Sequence, residues 1–103
     1  MNCSRNDVVL LPIPFTDLTS RKVRPAVVLG RYGADLFLAP ISSVHSNTDI
    51  PVQDWRAAGL NVACGVKAQL ATVEARLVVK VLGSLSSTDQ HALNQRLRSW
   101  LQL

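Results

Sequence analysis

Cysteine is scarce in this chain of 103 residues: only Cys3 and Cys64 occur. Two thiols exclude a disulfide framework, and they lack the paired spacing of a zinc site. Such usage suits a reducing cytoplasm. Long hydrophobic runs are also missing. The richest stretch, Val8 to Phe15, is broken by Pro12 and Pro14, far short of the ~18–20 apolar residues of a membrane span. Asp7 precedes it and no small-residue cleavage site follows, so no secretory signal is expected. Aromatic residues make up 5% and charged residues 17%, against 48% hydrophobic residues. That balance is too apolar for intrinsic disorder and supplies one core, with a surplus that suits a subunit interface. There is no repeat, low-complexity tract or linker, so one domain over residues 1–103 is expected.

Acidic side chains are few. Eleven Lys and Arg face 7 Asp and Glu, giving +4 and a pI near 9.7. Arg21, Lys22 and Arg24 fall within four residues, and Arg31 follows. The cluster hints at a polyanionic partner; ordinary solvated charge is the competing reading.

Local patterns predict several short strands and one helix. Asp7–Ile13 is apolar and β-branched and reads as a buried strand. Phe15–Val23 has loop composition. Pro25–Arg31 and Asp35–Ser42 read as strands two and three around a tight turn at Tyr32–Ala34, with Pro40 suggesting an edge or a bulge. Ser43–Asp49 is a polar loop. Ile50–Val52 suits a short strand, and Asp54–Gly59 one helical turn ending at the glycine. Cys64–Val73 has strand character with weak alternation, and Arg76–Leu82 reads as a strand stopped by Gly83. Ser86 or Ser87 offers an N-cap, Ser87 with Gln90 fitting a capping box. Leu93, Leu97, Trp100 and Leu101 then form one helical stripe. The sum is an α+β or small-barrel pattern.

In this order the segments resemble the PemK/MazF family of toxins. The matching pieces are Asp7-Val-Val-Leu, Pro14-Phe-Thr-Asp-Leu18, Arg24-Pro-Ala-Val-Val-Leu29 and Leu38-Ala-Pro-Ile-Ser-Ser43. Later come Ile50-Pro51, Asp54-Trp55 with Gly59-Leu60, Ala71-Thr72-Val73 and Leu82-Gly83-Ser84-Leu85-Ser86. The resemblance covers nearly the whole chain. It implies a mainly β fold with a C-terminal helix, a small twisted antiparallel SH3-like β-barrel of the CcdB/Kid/MazF type. It implies a homodimer that cleaves single-stranded mRNA with sequence selectivity, without metal or other cofactor. Attack by the 2′-hydroxyl would leave a 2′,3′-cyclic phosphate. A cognate antitoxin would occupy the RNA groove.

Such cleavage needs a proton acceptor, a group that holds the crowded phosphorane, and an acid for the leaving 5′-oxygen. Arg24 matches the arginine before proline in the family pattern, and a guanidinium grips two phosphate oxygens at once. Ser42 falls where the family carries Thr or Ser near the scissile phosphate. It donates to phosphate there, or simply bonds local backbone at a strand end. Arg21 and Lys22, on the loop Thr16–Val23 that flanks the RNA groove in the family, would contact phosphates. Ser43, Lys67 and Gln69 are further RNA-binding candidates. His45 has a titration range suited to acid–base work; an exposed loop histidine is the alternative. His91 reads as structural or solvated. Trp55 either stacks on a base or caps the core, and Phe15 packs against the core.

Two positions depart from the family. Val23 stands where many members have His before Arg-Pro, and Ala68-Gln69 stands where some carry an acid. These departures keep open a non-catalytic alternative on the same scaffold. Such a protein would bind RNA, or inhibit a protein target such as DNA gyrase, as CcdB does.

Overall fold

The computed structural model describes residues 3–12, 22–44, 46 and 48–103. Among these residues, seven strands and one α-helix follow in order: β1 (Asp7–Pro12), β2 (Val23–Tyr32), β3 (Asp35–Ser42), β4 (Ile50–Pro51), β5 (Gly65–Val66), β6 (Ala71–Glu74), β7 (Lys80–Ser84) and α1 (Ser87–Leu101). All pairings are antiparallel, in the order β4-β5-β3-β2-β1-β7, with β6 also paired to β3. Hydrogen bonds among the described residues leave this sheet open, so the expected barrel is an antiparallel sheet without a closing seam. The mainly β class with a C-terminal helix holds.

The near-continuous apolar sequence of β1 has a direct cause: its two faces meet two cores. Val8 aligns with Val27, and Val27 with Ala39. These fill the core under α1, together with Ile50, Val52, Leu60, Leu93 and Leu97. Val9 and Leu11 turn the other way and meet Ala26, Val28, Leu36 and Leu38 with Cys3, Ala75 and Val78. Each buried Val or Leu contributes roughly 1.5–3 kcal/mol. β2 starts two residues before the predicted Pro25, and Leu29 forms a bulge where the β2–β3 register shifts between Val28 and Gly30. At the turn, Gly33 takes a left-handed φ of 59°, which costs glycine nothing.

Pro40 marks neither an edge nor a bulge. It sits buried in β3 opposite Ala26, and its carbonyl accepts from Lys67 N–H at 2.9 Å on the side away from β2. On that side β3 changes partner, pairing β6 through Leu38 and β5 from Ile41. The N–H that proline lacks falls in this gap.

The stretch 64–73 divides into β5 and β6 for the same reason, each short strand serving one half of β3. The predicted strand Arg76–Leu82 is also displaced. Ala75–Leu77 forms a 3-10 turn that carries the chain from β6 across the second core. β7 then runs Lys80–Ser84 and includes Gly83, paired with Val8. Gly83 therefore does not stop the strand; a Cβ there would lie 2.8 Å from the Ala58 carbonyl oxygen. Reciprocally, Gly59 has φ +84°, and a Cβ would lie 2.2 Å from the Leu82 oxygen. The two glycines let the 54–59 turn seat directly on β7.

Ser86 is the N-cap of α1, accepting from Asp89 N–H, so the cap lies one residue before the Ser87–Gln90 box. Gln90 instead donates to the Leu85 carbonyl at 2.8 Å. The buried Asp89 carboxylate accepts from Gln53 N–H and Asp54 N–H, both at 2.9 Å, and so fastens the turn to the helix. Leu93 and Leu97 are buried and Trp100 is half-buried, but Leu101 stays 49% exposed. The stripe outruns the sheet beneath it. No helix is long and apolar enough to cross a membrane among the described residues.

Candidate nucleic-acid interface

The first turn of β2 and the last of β3 open onto a common cleft of about 740 Å³. Arg24 is exposed on β2, opposite Leu11, and the following Pro25 fixes the backbone opposite Leu10. Ser42 closes β3 opposite Gly65 of β5. Its Oγ accepts from Val44 N–H at 3.0 Å. This is the local backbone bond expected of a strand-end serine, yet it uses only a lone pair and leaves the hydroxyl proton for a second acceptor. The local-backbone reading of Ser42 is met, and the geometry leaves the hydroxyl available to a ligand. Ser43 is exposed at the rim. Lys67 follows β5, held by its own N–H to the Pro40 carbonyl. Arg24, Ser42, Ser43 and Lys67 all line the cleft.

Lys80 lines the same cleft, and sequence reasoning passed it over. Its signal was a lone cation inside the apolar run Leu77–Leu82. Asn61, exposed just beyond the 54–59 turn, adds an amide, and Val44 and Val62 add exposed apolar rims. Among the described residues the lining carries three cations and no carboxylate. Arg24, Lys67 and Lys80 are also absent from any ion pair there, the salt bridge being Arg76 with Glu74. Such a one-sign concavity focuses potential on an anionic ligand.

Cys64 also lines the cleft, with its thiol donating to the Val62 carbonyl at 3.2 Å. Burial pushes its pKa upward. A buried, protonated thiol is inert.

Other candidates fall elsewhere. Gln69 is half-buried beyond Lys67 and is not part of the cleft lining. Lys22 is exposed before β2, also outside the lining, and is engaged with a partner of its own. Arg21 and His45, and the loop from Thr16 up to Arg21, lie outside the described residues, as does Phe15. Val23, where a histidine was sought, is an exposed apolar residue paired with Pro12. Ala68 N–H is taken by the Asp49 carboxylate at 2.8 Å. Trp55 is half-buried against the core under α1, with the Arg56 guanidinium 4.8 Å from its ring centre. It is a cap over the core. His91 is exposed and contacts Gln95 one helical turn on at 3.3 Å. No three His, Cys, Asp or Glu side chains gather to hold a metal ion among the described residues.

A second concavity, of about 710 Å³, lies between α1 and the β3–β6 edge. Leu29, Phe37, Leu70, Leu97, Leu101 and Leu103 line it together with Arg5 and Arg98.

No curated protein sequence matches the chain. A solved structure described as an endoribonuclease in complex with its cognate antitoxin, from a mycobacterial species, is similar in fold. It aligns over 100% of this chain and 97% of its own at a TM-score of 0.73, with 17% sequence identity. The model of the PemK-like, MazF-like toxins of type II toxin–antitoxin systems matches residues 4–101, and the chain belongs to that family.

Proposed function

We propose that residues 1–103 form a single toxin domain acting in the cytoplasm as a sequence-selective, metal-independent endoribonuclease on single-stranded mRNA. The observation that carries this reading is the meeting of Arg24 and Ser42 in one cleft whose lining, among the described residues, holds cations and no carboxylate. Family membership and the fold likeness to an endoribonuclease support it.

The chemistry follows from the charge that develops. As the 2′-oxygen bonds to phosphorus and the bond to the 5′-oxygen breaks, negative charge builds on the non-bridging oxygens. Arg24 stabilises that charge with paired N–H donors, and the Ser42 hydroxyl donates a further bond. Lys67 holds the strand, assisted by Ser43, Lys22, Arg21 and Gln69 as the polynucleotide leaves the cleft. His45 is the proposed proton-transfer group, taking the 2′-hydroxyl proton as attack begins and returning it to the leaving 5′-oxygen. The cognate antitoxin presents carboxylates to the same cleft and excludes RNA.

The toxin works as a homodimer in this reading. The cationic cleft repels a second copy, whereas Phe37, Leu70, Leu101 and Leu103 expose a contiguous apolar face that a second copy covers. Sedimentation at micromolar concentration is expected to give twice 11.2 kDa; a stable monomer rejects the dimer.

Cleavage of a long single-stranded RNA in EDTA tests the activity, with product ends mapped. Discrete cuts bearing cyclic phosphates are expected. Arg24→Ala is expected to lower the rate about 10²–10³-fold, the cost of removing one preorganised charge-stabilising donor. Folded wild type that cuts none of several RNAs rejects the nuclease and leaves the non-catalytic alternative.

A further inference from the structure

Lys80 reaches the cleft from the strand farthest from Lys67. It pairs with Leu10 across β1 and β7, and Leu10 pairs with Pro25 across β1 and β2. Lys80, Leu10 and Pro25 thus form one row across three strands, ending beside Arg24. Neighbouring strands lie about 4.8 Å apart, so the Lys80 and Pro25 backbones stand about 10 Å apart. Leu10, between them, also lines the cleft and is uncharged. The floor is therefore apolar at its centre, with a cation on either side.

Lys80 is exposed, yet strand pairing fixes its backbone: Leu10 is its partner, and the Val79 N–H donates to the Leu10 carbonyl at 2.8 Å. Among the described residues no carboxylate engages it and none lines the cleft. A lone cation in an apolar strand, turned into a concavity that holds two others, is aimed at an anion. The Lys80 and Pro25 backbones stand farther apart than one phosphate group is wide, which leaves room for two neighbouring phosphates between Lys80 and Arg24.

We propose that Lys80 binds the RNA phosphate neighbouring the one held by Arg24, so that the polynucleotide backbone crosses the sheet over Leu10. This inference rests on the RNA-cleaving reading above. It makes Lys80 a binding residue whose contact is the same in substrate and transition state, unlike that of Arg24.

The test uses a labelled single-stranded RNA made resistant by 2′-O-methyl groups, with binding followed by fluorescence anisotropy from 50 to 300 mM salt. Cleavage kinetics on the unmodified strand run in parallel. One lost phosphate contact reduces the salt slope of log K by about 0.7 and weakens binding about fivefold at 0.1 M salt. Lys80→Ala should show both changes and raise KM with kcat held within about twofold. Lys80→Arg should restore both. Arg31→Ala, removing an exposed cation whose Nε donates to the Gly33 carbonyl near the hairpin turn, should leave the slope unchanged. Wild-type binding with an unchanged slope in Lys80→Ala overturns the proposal and leaves the nuclease reading standing. A fall in kcat without a change in KM also overturns it. Wild type that neither binds nor cuts RNA overturns both together.

Discussion

The two concavities are nearly equal in size, about 740 and 710 Å³, and differ in the side chains they gather. One gathers Arg24, Lys67 and Lys80 around two serines. The other gathers Leu29, Phe37, Leu70, Leu97, Leu101 and Leu103 beside two arginines. Volume alone would not separate a substrate site from an interface; the side chains do. Charge of one sign favours a polyanion and disfavours a like-charged copy, while exposed leucines favour burial by another protein surface. Each concavity also has its own support. The cleft wall hangs on the Gly59–β7 contact and the Asp89 anchor, whereas the apolar groove is where α1 outruns the sheet.

The largest effect that sharpens this contrast is on support. Gly59→Ala combines a left-handed φ with a contact of 2.2 Å to the Leu82 oxygen. The expected loss is about 3 kcal/mol, or roughly 10–20 °C in thermal midpoint for a domain of this size. Calorimetry checks it, and an unchanged midpoint would break the claim that the turn seats directly on β7. Next comes charge. Lys67→Glu removes one phosphate contact and adds a repulsion, so RNA affinity should fall about 25-fold at 0.1 M salt. Arg98→Glu, in the groove, should change it less than twofold; equal effects on the two sides would erase the distinction. Third is the groove itself. Leu101→Asp should weaken self-association about tenfold by sedimentation, the worth of part of one leucine's burial, while RNA affinity stays within twofold.

The smallest effect is titration of Cys64. Its folded pKa is raised by burial, so the thiol's contribution to stability is complete below the ordinary thiol value of 9.0 and declines as pH rises through the higher folded value. Cys64→Ala should flatten that slight alkaline loss of thermal midpoint.

Most of the fold was legible in the residues. β1 runs Asp7–Pro12, with the expected last residue Ile13 outside the described residues, β3 runs over Asp35–Ser42 as expected, and the terminal helix follows its leucine spacing. These segments are read from local pattern, and their burial agrees with it. The misplacements share one cause, which is non-local. Gly83 looked like a stop because the sequence does not show Ala58 pressed against it. Pro40 looked like an edge because nothing local reveals that β3 changes partners beside it. At the candidate site, Arg24 and Ser42 carried local signatures and family pattern. Lys80 carried only a lone charge in an apolar run, and the β1–β7 pairing is what brings it to the cleft. Gln69 followed Lys67 in sequence, yet the break between β5 and β6 leaves it outside the lining.

The pairing of β1 with β7 also has a consequence for synthesis. Asp7 is opposite Ser84, and Leu10 opposite Lys80. A ribosome must therefore release more than seventy residues beyond β1 before that strand gains its second neighbour, and contacts so distant in sequence form late. The cleft has one wall on each side of β1, so it comes into being only after residue 84 emerges. A chain that ends before β7 therefore carries no complete cleft, and the site is a late product of synthesis rather than a property of the emerging strand pair.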